Sequence, residues 1–272
     1  MKSKNKAILV LSLFIIALSS AVIFYNTRNH EVEVVEATPT PVSTPTPTAE
    51  VVELPTQWSK EEWQEKYQIN NDYVADIRFE SGLIDLPVVQ GETNDTYLRT
   101  DWQTMKYDIG GSIFMDSYTV YEDRDDYPED HNIVIYGHYF YHYLDPEQEK
   151  MFTPLHQLID EENYETNKYV DLLFEDEIRR YEVADVFYTA LVQDENGEFV
   201  YTVDEAQYYL PDFDSAYLQA YQNYIQQQRF YETGVEWNEN DYILTLQTCV
   251  ENRDDLRLIV IAKEVGRYEI TE

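Results

Sequence analysis

Three side chains in separate stretches could do chemistry together. Cys249, the one cysteine of the chain, ends the run Tyr242-Ile243-Leu244-Thr245-Leu246-Gln247-Thr248-Cys249. After the polar, turn-forming stretch Val250 to Asp255 comes a second apolar run of strand length, Leu256-Arg257-Leu258-Ile259-Val260-Ile261-Ala262. Both runs have strand composition. Paired as an antiparallel hairpin, they bring the end of the first beside the start of the second, with Cys249 and Arg257 at one rim of a sheet. A guanidinium there can lower a thiol's pKa or bind an oxyanion. The third residue is His138, which closes His131-Asn132-Ile133-Val134-Ile135-Tyr136-Gly137-His138. That segment reads as a buried strand stopped by glycine, with an imidazole presented just past the stop. A lone cysteine at a strand end is ordinarily a small buried hydrophobe; the histidine segment tips the reading toward a nucleophile.

Other chemistry is disfavoured. The formal net charge is −34, from 19 basic and 53 acidic residues, which argues against nucleic acid as a partner. The acidic cluster Asp123–Asp130 reads as a solvated loop ahead of a calcium site. His138 and His142 are four apart but lack further ligands at sensible spacing, so neither a metal nor another cofactor is expected. His131 and His156 read as surface or packing residues. A single cysteine excludes an internal disulfide framework.

The elements that must position these groups follow in chain order. Lys2, Lys4 and Lys6 precede an uncharged run at 7–25, long enough at about 1.5 Å per residue to approach a hydrocarbon core of about 30 Å. The expectation is a cytoplasmic tail at 1–6 and a retained transmembrane signal-anchor at 7–25, with a cleaved signal peptide as the alternative. The rest would then lie outside the cell membrane. Residues 26–57 carry Thr-Pro repeats such as Thr44-Pro45-Thr46-Pro47, an extended spacer that cannot form a core. A folded domain is expected over 58–272. Ser59 and Glu62 make a capping box for an N-terminal helix. Stretches 168–174 and 178–187 predict a hairpin in which Tyr181, Val183 and Phe187 share one face. A long helix is predicted from about Ser215 to Arg229, with Tyr217, Tyr221, Tyr224, Ile225 and Gln228 on one side. Many short strands and few helices predict a mostly β fold, a closed or nearly closed barrel of seven or eight strands.

With these pieces in order, the chain resembles the sortases, membrane-anchored cysteine transpeptidases of Gram-positive bacteria, and in particular their class B. The resemblance is carried by Tyr136-Gly137-His138, Thr245-Leu246-Gln247-Thr248-Cys249 and Arg257. Tyr73-Val74-Ala75-Asp76-Ile77, Ile84-Asp85-Leu86-Pro87-Val88-Val89-Gln90, Gly111-Ser112-Ile113-Phe114-Met115-Asp116, Thr233-Gly234-Val235 and the helix before the cysteine strand extend it over nearly the whole domain. It implies a sortase-type barrel, with Cys249 as nucleophile, His138 as acid and base, and Arg257 as oxyanion donor. It implies partners too: secreted proteins bearing a C-terminal sorting signal, cleaved at a threonine carbonyl, and the amine of a lipid-linked peptidoglycan precursor. By the same resemblance Asn94, Leu98, Tyr136, Gln247, Thr248 and Glu251 are expected to bind substrate. Gln247 stands where the family commonly has serine, and the tyrosine-rich stretch Tyr139 to Lys150 is longer than in relatives. The alternatives within this reading are a pilin-polymerising enzyme and a non-catalytic surface β-domain, an adhesin or pilus component.

Overall fold

The computed structural model describes residues 55–123, 127–140, 151–193, 199–200, 210–213 and 215–270, which fall within one compact unit, Val51–Glu272. It opens with helix α1 (Lys60–Ile69), started by the expected capping box: Ser59 accepts from the Glu62 N–H, and the Glu62 carboxylate accepts from the Ser59 N–H. Trp63 anchors the helix to the first strand by donating from its indole to the Val74 carbonyl at 2.9 Å.

The body is a closed barrel of eight strands: β1 (Tyr73–Phe79), β2 (Asp85–Val89), β3 (Ile113–Met115), β4 (Asn132–Tyr136), β5 (Tyr169–Leu173), β6 (Glu177–Ala190), β9 (Ile243–Val250) and β10 (Arg253–Glu269). The order around the barrel is β1-β2-β3-β4-β9-β10-β6-β5, closed by β5 pairing with β1. Two short strands, β7 (Val192–Gln193) and β8 (Phe199–Val200), pair outside it. The other helices are the short α2 (Tyr164–Asn167) and α3 (Ser215–Gln228). Fold class and barrel closure agree with the sequence reading.

Alternation along the strands fills two cores. Ile133, Ile135, Leu244, Leu246, Leu258 and Val260 join the barrel interior, while Val134, Ile243, Ile259 and Ile261 face outward beneath α3. Two predicted faces need correction. In β6, Ala184 is an extra residue between the partners of Ala262 and Ile261, a bulge that inverts the alternation. Tyr181 and Val183 therefore point inward, whereas Phe187 points outward and meets Tyr221 of α3. In α3 the buried stripe is Leu218, Tyr221 and Ile225; Tyr217 and Gln228 lie on the exposed side.

The connection between β9 and β10 is also tighter than its polar sequence suggested. Only Glu251 and Asn252 turn, with Asn252 at φ 56° in the left-handed region that asparagine tolerates, and β10 begins at Arg253.

The expectation of a cell-membrane location through a single-pass helix is corrected. Among the described residues no helix is long and apolar enough to cross a membrane. The longest, α3, has 14 residues and spans about 21 Å, short of a core of about 30 Å. The run at 7–25 on which that expectation rested lies outside the described residues, as do most of the spacer and His142.

Candidate active site

β4 and β9 run parallel, and their last pair is Tyr136 opposite Gln247. The Gly137 N–H then donates to the Gln247 carbonyl at 3.1 Å, and the chain turns. A Cβ on Gly137 would lie 2.5 Å from Ile113 Cδ1 and 2.6 Å from the Phe152 ring, so only hydrogen fits where the strand ends against the core. That stop delivers His138 to the rim. On the other side of β9, Cys249 and Arg257 are direct cross-strand partners. Cys249 shares the parity of Ile243, which faces outward, so its half-buried thiol leaves on the outer face.

Tyr136, His138, Gln247, Cys249 and Arg257 line one cleft of about 260 Å³, closed by Phe114, Asn94 and Leu98. Four of the expected substrate contacts, Asn94, Leu98, Tyr136 and Gln247, are therefore in the cleft with the three reactive groups. The other two are not. Thr248 shares the inward parity of Leu244 and Leu246, is fully buried, and its hydroxyl has no hydrogen-bond partner among the described residues. Glu251 sits in the turn beyond β9, where its carboxylate accepts from the Tyr139 hydroxyl at 3.1 Å.

Long-range contacts hold the cleft open in a fixed shape. The buried Asp116 carboxylate accepts from the Tyr136 hydroxyl at 2.8 Å and from the Asn94 amide at 2.9 Å. Asn94 Oδ1 in turn accepts from the Ser117 N–H at 2.8 Å. The loop carrying Leu98 is pressed onto Gly111, whose φ is 57° and where a Cβ would lie 2.4 Å from the Tyr97 carbonyl oxygen.

His138 Nε2 lies 2.8 Å from the Leu98 carbonyl oxygen and 2.7 Å from Arg99 Nη1. The carbonyl can only accept and the guanidinium can only donate, so these contacts belong to opposite protonation states of Nε2. The same Arg99 nitrogen donates to the Ile109 carbonyl at 2.5 Å, which fixes the guanidinium beside the ring. Burial lowers the His138 pKa first; the positive charges of Arg99 and Arg257 lower it further, against the Leu98 carbonyl, which raises it. Arg257 is positioned by its own strand. Between Arg253, opposite Val250, and Arg257, opposite Cys249, residues 254–256 bulge out. Arg257 Nη1 donates to two carbonyls of that bulge, Asp254 at 3.0 Å and Leu256 at 2.7 Å. Those bonds engage one of the three guanidinium nitrogens, and the planar fork leads on into the cleft.

Arg99, Asp116 and His156 were not singled out as site residues in the sequence. His156, read there as surface or packing, donates from Nε2 to the Cys249 carbonyl at 3.0 Å. Among the described residues no group of three or more His, Cys, Asp or Glu side chains could hold a metal ion. The cleft thus combines a thiol, an imidazole and a guanidinium with neutral polar and aromatic walls, the equipment for acyl transfer through a covalent intermediate.

The chain also has relatives among known proteins. Residues 77–265 match the family model described as the sortase domain. The chain is 26% identical to sortase B of Staphylococcus aureus over 201 residues, covering 72% of this chain and 71% of that protein. It is 28% identical to sortase B of Listeria monocytogenes over 195 residues, covering 72% of this chain and 70% of that protein. Among solved structures it is similar to Clostridium perfringens sortase B, with a TM-score of 0.56 and 29% identity over 75% of this chain and 99% of that one.

Proposed function

Because the chain belongs to the sortase family of cysteine transpeptidases, and is class B-like within it, we propose that Cys249, His138 and Arg257 carry its reaction, on a protein bearing a C-terminal sorting signal. The observation that supports this assignment is the convergence of the three side chains on one cleft. The Cys249 thiolate attacks the carbonyl carbon of the sorting-signal threonine, and the C–S bond forms as the carbonyl becomes an oxyanion. The Arg257 guanidinium donates to that oxyanion. The imidazolium of His138 gives its proton to the nitrogen of the scissile amide, the C–N bond breaks, and a thioacyl-enzyme remains. The amine of a peptidoglycan precursor then attacks the thioester and surrenders its proton to His138; a new amide forms and the thiolate is released.

Asn94 and Tyr136, both tied to Asp116, and Leu98 and Gln247 are proposed to seat the sorting signal along the cleft. The reading of a non-catalytic surface domain is not favoured by family membership.

The test is cleavage of fluorescent sorting peptides by the purified protein, with and without an amine acceptor. Cleavage that is abolished in Cys249→Ala and His138→Ala, with product redirected to the amine adduct, is expected. Cleavage that persists in Cys249→Ala, or products unchanged by the amine, would refute the assignment.

A further inference from the structure

In a strand, carbonyls two residues apart point to the same side. The Gln247 carbonyl points to β4 and takes the Gly137 N–H. The Cys249 carbonyl therefore points to that side as well, but β4 has already ended, its last pair being Tyr136 with Gln247. This is the carbonyl of the residue that must hold the nucleophile, and the ladder no longer fixes it.

The vacancy is filled by a side chain. Just after the segment 141–150, a 3₁₀ turn at Thr153–Ile159 places the His156 Nε2 3.0 Å from the Cys249 carbonyl oxygen. The same turn is bonded to the histidine loop: the Phe152 N–H donates to the His138 carbonyl at 3.0 Å, and Thr153 Oγ1 accepts from the Phe140 N–H at 2.8 Å. The His156 ring is held by Tyr139, whose ring centroid is 4.4 Å away and whose hydroxyl donates to Glu251 in the β9–β10 turn. Five residues, Phe152 to His156, thus bond the main chain of His138 at one end and that of Cys249 at the other. We propose that His156 is a positioning residue for the thiol chemistry, its Nε2–H standing in for the strand donor that β4 no longer supplies and fixing Cys249 relative to His138. This rests on the assignment of Cys249 as nucleophile.

The imidazole suits the task. A carbonyl can only accept, so the bond selects the Nε2–H tautomer. Burial lowers the His156 pKa, against the Cys249 carbonyl and the Glu251 charge, which raise it. A neutral ring still keeps the needed donor. Small displacements of a nucleophile are costly because attack requires a near-attack geometry.

The experiment compares His156→Phe, which keeps a ring against Tyr139 but has no donor, with His156→Gln, whose amide nitrogen can restore one. The expected result in peptide cleavage is a fall of about tenfold in kcat for the phenylalanine variant with KM little changed. The glutamine variant should recover to within about threefold of wild type, and both should melt near the wild-type temperature. Equal loss in both variants, or no loss in the phenylalanine variant, would overturn the inference. Nitrogen-15 spectra of the wild-type protein give a reading independent of variant folding: His156 should be the neutral Nε2–H tautomer at neutral pH, and an Nδ1–H tautomer would overturn it. Cys249→Ala run alongside separates the two levels. If cleavage requires Cys249 but is indifferent to the His156 donor, only the positioning role fails; if cleavage survives without Cys249, the assignment beneath it fails.

Discussion

Arg257→Lys separates the shape of the positive charge from the charge itself. In the wild type, Nη1 alone makes both bonds to the bulge carbonyls of Asp254 and Leu256, so the other nitrogens of the same rigid plane can be aimed at a substrate oxygen. Lysine has one nitrogen on a shorter, rotatable stem. If it satisfies the bulge it cannot also reach the oxyanion, and if it turns to the oxyanion it abandons the bulge. Loss of one oxyanion donor costs about 3–4 kcal/mol, or about 10²–10³ in kcat. Because that interaction exists only in the transition state, KM should stay within about threefold of wild type. Folding should fall by no more than about 1 kcal/mol for a weakened bond to the bulge. Steady-state cleavage of a sorting peptide at a fixed amine concentration, with a thermal melt as control, measures all three. A kcat within about threefold of wild type would show that Arg257 is not the oxyanion donor.

Other perturbations probe the remaining parts. Arg99→Gln removes one of the charges that lower the His138 pKa but keeps a donor, so the His138 titration followed by NMR should move to higher pH. Imidazolium, the proposed proton donor, would then persist to higher pH; an unchanged or lower titration would contradict the assigned contact. Asp116→Ala releases Asn94 and Tyr136 together and should raise KM for the peptide about tenfold with little change in kcat, as measured by peptide titration. Gly137→Ala should lower stability by about 1–3 kcal/mol in urea unfolding, because its Cβ would overlap Ile113 and Phe152. Thr248→Val removes a buried hydroxyl that has no partner among the described residues, so it should leave cleavage unchanged and stabilise by about 1 kcal/mol; a loss of activity would place Thr248 against the substrate after all.

The division between what sequence revealed and what it hid follows contact range. Cys249 and Arg257 are brought together by one hairpin, and the Gly137 stop before His138 is local, so both were readable from strand composition and a turn. The capping box at Ser59 is equally local. Two misjudged faces had small causes. One extra residue, Ala184, inverted the alternation of β6, and no composition signal marks a bulge inside a long strand. In α3 the tyrosines suggested a stripe through Tyr217, whereas Leu218 has the spacing that accompanies Tyr221 and Ile225 into the core. The polar stretch Val250–Asp255 looks like a six-residue loop, but only Glu251 and Asn252 turn: Arg253, Asp254 and Asp255 open β10, where Arg253 pairs with Val250 and residues 254–256 bulge out of the ladder. Arg99, Asp116 and His156 were hidden for a different reason. Each reaches the site from a loop or short turn whose path depends on the finished barrel: Asp116 meets Tyr136 across 20 positions, and His156 meets Cys249 across 93. Nothing in the local sequence distinguishes them from surface residues.

The most direct measurement is the intact mass of the protein quenched shortly after mixing with a sorting peptide. A gain equal to the acyl fragment is expected, localised to Cys249 by peptide mapping, released as a new amide when an amine is added, and missing from Cys249→Ala. An adduct on any other residue, or peptide turnover with no acyl-enzyme that amine can discharge, would contradict it.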